Sequence, residues 1–252
     1  MLSQRIRKIA GIGIPSVVIA LVYLGVLRHF VDIAVNEPSR YYHLAIAFMT
    51  SKLGLIRSLP QVEDLGWSAQ FVEKNFLFTI LSALVYKMGG ETLTLSLVPI
   101  LGILFLLLLF LMLRRFLPTI PALLFAVSPV LTPDFAVQLS LFNPNLYALI
   151  TFFILVSGML AERIWLCVIG AFLFSLGFNA SHLPVALIVS GLLFGWGTEK
   201  TWLRVLLFAT LGMAIGILVN PYFPLSLSHN ASSFRIFPTL AGDRLADMAP
   251  LG

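Results

Sequence analysis

The sequence predicts an all-α, polytopic membrane protein with about seven transmembrane helices and further juxtamembrane helices on the outer surface. Three observations carry this. Of 252 residues, 59% are hydrophobic and 11% charged, more apolar surface than a soluble core of this size can bury. Several apolar runs match the roughly 20 residues that cross a bilayer. Backbone amides in hydrocarbon need partners within their own segment, which makes those runs helices.

The first element is the run Ile9–Leu27, preceded by Arg5, Arg7 and Lys8. It is longer than a signal-peptide core, and no small-x-small cleavage site follows, so it reads as an uncleaved first span over 9–31. A mostly polar loop, 32–91, comes next. Within it, Tyr41, Tyr42, Leu44, Ala45 and Phe48 recur at helical spacing, predicting a surface helix over 39–55 with Ser39 as N-cap. A second surface helix is expected over 71–87, because the apolar run 76–86 is too short to cross.

The remaining spans are expected at 92–113, 117–132, 144–161, 164–180, 183–197 and 202–219. With the N-terminus in the cytoplasm, Arg114, Arg115, Arg163, Lys200 and Arg204 fall in short inner turns, as the positive-inside rule requires. Of the 11 acids, only Glu162 and Glu199 then lie inside. Residues 1–219 form the transmembrane module, and 220–252 an outer tail, the possible start of a missing region. The single cysteine, Cys167, lies in a span and excludes a disulfide or a cysteine metal site. The charge of +5 is set by topology and is no nucleic-acid signal.

Chemistry is expected at the outer boundary. Asp32 ends the first span, Glu37 opens the loop, and Asp134 lies in a second outer turn, 128–134. A carboxylate there can act as a general base, or hold a divalent cation such as Mg or Mn against a phosphate. It can equally be a solvated acid at a helix end. His43 and His182 are site candidates, against the plainer role of interface histidines. Asn143 and Asn145 can hydrogen-bond a sugar or phosphate, or cap the fourth span. Arg40, Lys52, Arg57, Lys74 and Lys87 can grip a lipid phosphate or anchor to headgroups. If a metal binds, Glu37, Asp134 and His182 are its candidate ligands.

Four segments resemble the GT-C superfamily of polyprenyl-phosphate-dependent glycosyltransferases. They are the acid near the end of span one with Tyr41-Tyr42-His43-Leu44; Phe71-Val72-Glu73-Lys74-Asn75-Phe76-Leu77-Phe78; Asp134; and Asn220-Pro221-Tyr222-Phe223-Pro224. The resemblance covers about 10–225. It implies an enzyme at the outer face of a bacterial or archaeal plasma membrane, moving a sugar from a polyprenyl phosphate to a protein, lipid or glycan, with inversion. It implies catalytic roles for Glu37, Asp134 and Asp32, and substrate contacts from Arg40, Tyr42, His43, Glu73, Lys74, Asn143 and His182. The chain departs from the family's Asp-x-Asp, reading Asn36-Glu37-Pro38-Ser39, and has Glu73 where aspartate is usual. It is also shorter than most relatives, as a minimal module or an inactive fragment would be. A transporter or flippase, or a non-catalytic membrane subunit, is the alternative. The charge-free span centres argue against ion-coupled transport.

Overall fold

A computed structural model describes residues 2–59, 71–178, 182–194 and 199–226. Every regular element among them is helical. Ten helices follow one another: α1 (Leu2–Asn36), α2 (Pro38–Leu53), α3 (Phe76–Leu95), α4 (Leu97–Leu113), α5 (Thr119–Leu131), α6 (Pro133–Ser140), α7 (Asn145–Leu160), α8 (Ile164–Gly177), α9 (His182–Phe194) and α10 (Glu199–Val219).

Two segments are single helices long and apolar enough to cross a membrane, Ile12–Asn36 and Trp202–Val219. Two bent pairs meet the same test together: α3 with α4, bent by 78°, and α5 with α6, bent by 81°. Among the described residues there are therefore two such helices, or up to four if each bent pair is one span.

Proline and glycine set the breaks. Pro38 occupies the first turn of α2, where its missing N–H costs nothing, and Glu37 is the N-cap. Ser39 is thus inside α2 and not its cap. Gly54, with φ 77°, ends α2 and donates its N–H to the Thr50 carbonyl at 3.0 Å. Inside α3, Gly89 and Gly90 leave helical geometry, and Gly90 has φ 66°. Residues 92–95 finish α3, so the expected span 92–113 begins as a straight helix only at Leu97. Pro133 bars its predecessor from helical geometry, and Thr132 is extended (φ −92°, ψ 116°). The expected outer turn 128–134 is instead the end of α5 and the start of α6, a helix the sequence reading left out.

The core is continuous across α1, α4, α5, α6 and α7, around Tyr23, Phe78, Phe105, Phe110 and Leu146. The Tyr23 hydroxyl donates to the Leu139 carbonyl at 2.7 Å, tying the folded-back α6 to the middle of α1. A second core joins α7, α8, α9 and α10 through Leu155, Cys167, Ala171, Trp202 and Val205. Small residues permit that close packing: a Cβ at Gly212 or Gly216 would strike the carbonyl oxygens of Val168 or Phe172. Arg115 donates to the Ser157 carbonyl at 3.0 Å, so the C-terminal ends of α4 and α7 lie together. The segment after α10 meets the loop after α2, where the Tyr222 hydroxyl donates to the Ile56 carbonyl at 2.7 Å.

Candidate functional site

The loop after α2 is held by a small core of Ile46, Ile56, Leu59 and Phe71. Phe71 N–H donates to the Arg57 carbonyl at 2.8 Å, which brings the strand of chain before α3 back alongside α2. That return places Glu73 between α2 and the end of α10. Glu73 is 2% exposed. Its Oε1 accepts from the Asn75 N–H at 2.9 Å, and its Oε2 from the Tyr42 hydroxyl at 3.3 Å. Burial raises the Glu73 carboxyl above its ordinary value, partly offset by those two donors and the Lys74 charge.

Tyr222 closes the cluster. Its ring meets Phe76 edge-on at 6.1 Å. Asn220, itself buried, accepts the Tyr222 N–H on Oδ1 at 3.0 Å and so fixes the turn after α10. Burial, then the Glu73 charge, raises the Tyr222 phenol, while Arg57 lowers it. Tyr42 is raised by the same two leading causes. His43, one residue on, is buried edge-on against Phe78 at 5.5 Å, and its Nδ1 lacks a hydrogen-bond partner. Burial lowers His43 to about 4, so it is neutral at physiological pH.

The structure thus gathers Tyr42, His43, Glu73 and Lys74 from the expected set. Tyr222 and Arg57 join them, although neither was singled out as a site residue. Asn220-Pro221-Tyr222-Phe223-Pro224 was the available signal for Tyr222. Arg40 stands on another flank of α2: its Nη2 donates to Glu91 Oε1 and its Nη1 to the Val35 carbonyl, at 3.0 and 2.9 Å. Glu37, half-buried, lies at the start of α2, about 8 Å along the axis from Tyr42. Asp32 and Asp134 are exposed. Glu37 is the N-cap of α2, and Asp134 lies in the first turn of α6. Asn143 is buried and accepts the Asn145 N–H at 3.0 Å, the capping role. The side chain of His182 lies outside the described residues. Among those residues, no group of three His, Cys, Asp or Glu can hold a metal ion.

A cavity of about 360 Å³ opens between α6, α7 and α8, walled by Phe135, Leu146, Phe152, Phe174 and Phe178, with Gln138 and Asn145 as its polar members. Comparison with family models, curated proteins and solved structures finds no match to this chain.

Proposed function

We propose that the protein is an integral-membrane glycosyltransferase that moves a sugar from a polyprenyl phosphate to an acceptor at the outer face of the membrane. One observation carries the reading. Three of the four segments that resemble the GT-C superfamily, far apart in sequence, meet in one cluster: the Tyr42 hydroxyl reaches Glu73 at 3.3 Å, and the Tyr222 ring meets Phe76 edge-on at 6.1 Å. The proposed topology has seven crossings, with α2 and the first part of α3 on the outer surface. The pairing of helix ends supports it: Arg115 with Ser157 on the inner side, Tyr222 with Ile56 on the outer.

In this reading Glu37 is the base. It is half-buried and its carboxylate makes no hydrogen bond among the described residues, whereas both oxygens of Glu73 are occupied. Glu37 takes the proton from an acceptor hydroxyl or amine. The acceptor atom attacks the anomeric carbon, and the bond from that carbon to the phosphate oxygen breaks. Polyprenyl phosphate leaves with the electron pair, and the configuration inverts. Lys74, exposed beside Glu73, stabilises the departing phosphate. Glu73 orients Tyr42 and so shapes the donor site.

The two bent helix pairs favour a second reading, a transporter, since broken helices line many transport sites. Incubating the purified protein with a panel of radiolabelled polyprenyl-phosphate sugars separates the two. Release of free polyprenyl phosphate with label in an acceptor fraction supports the enzyme. Label that crosses a vesicle membrane still attached to its lipid supports the transporter and ends the glycosyltransferase reading.

A further inference from the structure

Arg40 stands where an apolar cleft meets the polar loop. The cleft, about 160 Å³, runs between α1, α4 and the end of α6, walled by Leu27, Val31, Val98, Pro99 and Phe142. Among the described residues Arg40 is its one charged wall residue, and Ser140 its one neutral polar residue. Beside it on α1, Val31, Ile33 and Val35 are exposed apolar side chains. A surface of that kind on a membrane-crossing helix faces lipid.

The guanidinium is incompletely used. Nη1 donates to the Val35 carbonyl and Nη2 to Glu91, but Nε is buried without a partner among the described residues. Nε–H and one Nη2–H point the same way and form an edge that grips phosphate bidentately. Glu91 accepts from Nη2 with a single oxygen, and its side chain is 55% exposed, so it can yield to another anion.

We propose that this cleft binds a phospholipid of the surrounding bilayer, its phosphate on the Nε/Nη2 edge of Arg40 and an acyl segment against α1 and α4. The volume favours a chain segment over a whole soluble ligand, since ordinary small-molecule sites run to roughly 300–1,000 Å³. The position separates it from the transfer site: Arg40 and Tyr42 are two residues apart on α2, about 200° around the helix. The proposal rests on the membrane reading of α1 and not on glycosyl transfer, so its test needs no activity.

The test is a titration of the purified, detergent-solubilised protein with phosphatidylglycerol, read by native mass spectrometry. One lipid is retained per chain. Arg40→Gln weakens it by about 10- to 100-fold, and Arg40→Lys, which keeps the charge but loses the fork, recovers only part of that. Ser140→Leu fills the cleft without touching Arg40 and weakens binding as well, which guards against a misfolded Arg40→Gln. Diacylglycerol, lacking the phosphate, and glycerol 3-phosphate, lacking the chains, each bind at least about tenfold more weakly. Equal retention by wild type and a folded Arg40→Gln, or by wild type and Ser140→Leu, overturns the proposal. Tighter retention of polyprenyl phosphate than of phosphatidylglycerol also overturns it, and moves the donor to this flank.

Discussion

Replacing Tyr222 with Phe removes one oxygen atom and isolates the bond that docks the end of α10 onto the loop after α2. Tyr222 is 6% exposed, and its hydroxyl reaches the Ile56 carbonyl at 2.7 Å. Losing a buried hydrogen bond while its carbonyl stays buried costs about 1–3 kcal/mol. At about 2–4 °C per kcal/mol for a chain of this size, unfolding should come roughly 2–12 °C lower. The ring remains, so the edge-on contact with Phe76 at 6.1 Å persists. Tyr222→Leu loses that contact too and should lower the midpoint further, by about another 0.5–1.5 kcal/mol equivalent. The assay is thermal unfolding in detergent micelles, paired with limited proteolysis of the loop after α2. The Phe variant should melt earlier and be cut faster in that loop. A Phe variant with wild-type midpoint and wild-type cleavage rate would refute the docking on which the site's assembly depends.

Glu73 and His43 should leave opposite marks on stability as pH changes. The Glu73 carboxyl is raised in the fold, so the native state holds its proton more tightly than the unfolded chain, and stability declines as pH rises above about 4.5. Melting curves across pH should show that decline in wild type and a flatter profile in Glu73→Gln; an unchanged slope would contradict the buried carboxylate. His43 is lowered to about 4, so its neutral form contributes stability that is complete above 6.5 and lost as pH falls towards 4. His43→Phe should remove that acid limb, again read by melting midpoint. For topology, Ser58→Cys and Asp134→Cys should react with an impermeant thiol reagent in intact cells, while Arg114→Cys should react only after permeabilisation. Cys167 is fully buried and contributes no background.

The helical class was legible because the apolar runs leave the backbone no other partner, and the ends of α5, α7, α8 and α10 fall near the boundaries that charge and proline mark. The helix α2 was legible from its apolar spacing. The bends were harder to read. Gly89-Gly90 and Thr132-Pro133 were visible as residues, but whether each breaks a span or ends one depends on what packs behind it, and Tyr23 binding Leu139 lies 116 positions away. The same distance in sequence hid Tyr222 from the expected site. Asp134 was misplaced because it was read as part of a turn, while Pro133 starts a helix that leaves the carboxylate exposed. The two hydrogen bonds of Glu73, to Tyr42 and to the chain at Asn75, depend on the fold of the loop and could not be read from its spacing.

The most direct measurement of the central claim compares wild type with Glu37→Gln in sugar transfer from the best donor in the polyprenyl-phosphate panel. The substitution removes the charge at nearly constant shape, in a side chain with no hydrogen bond to lose among the described residues. If Glu37 is the base, the transfer rate falls by about 10²–10⁴-fold while the melting midpoint stays within about 1 °C of wild type. Transfer at the wild-type rate by a folded Glu37→Gln would contradict the account.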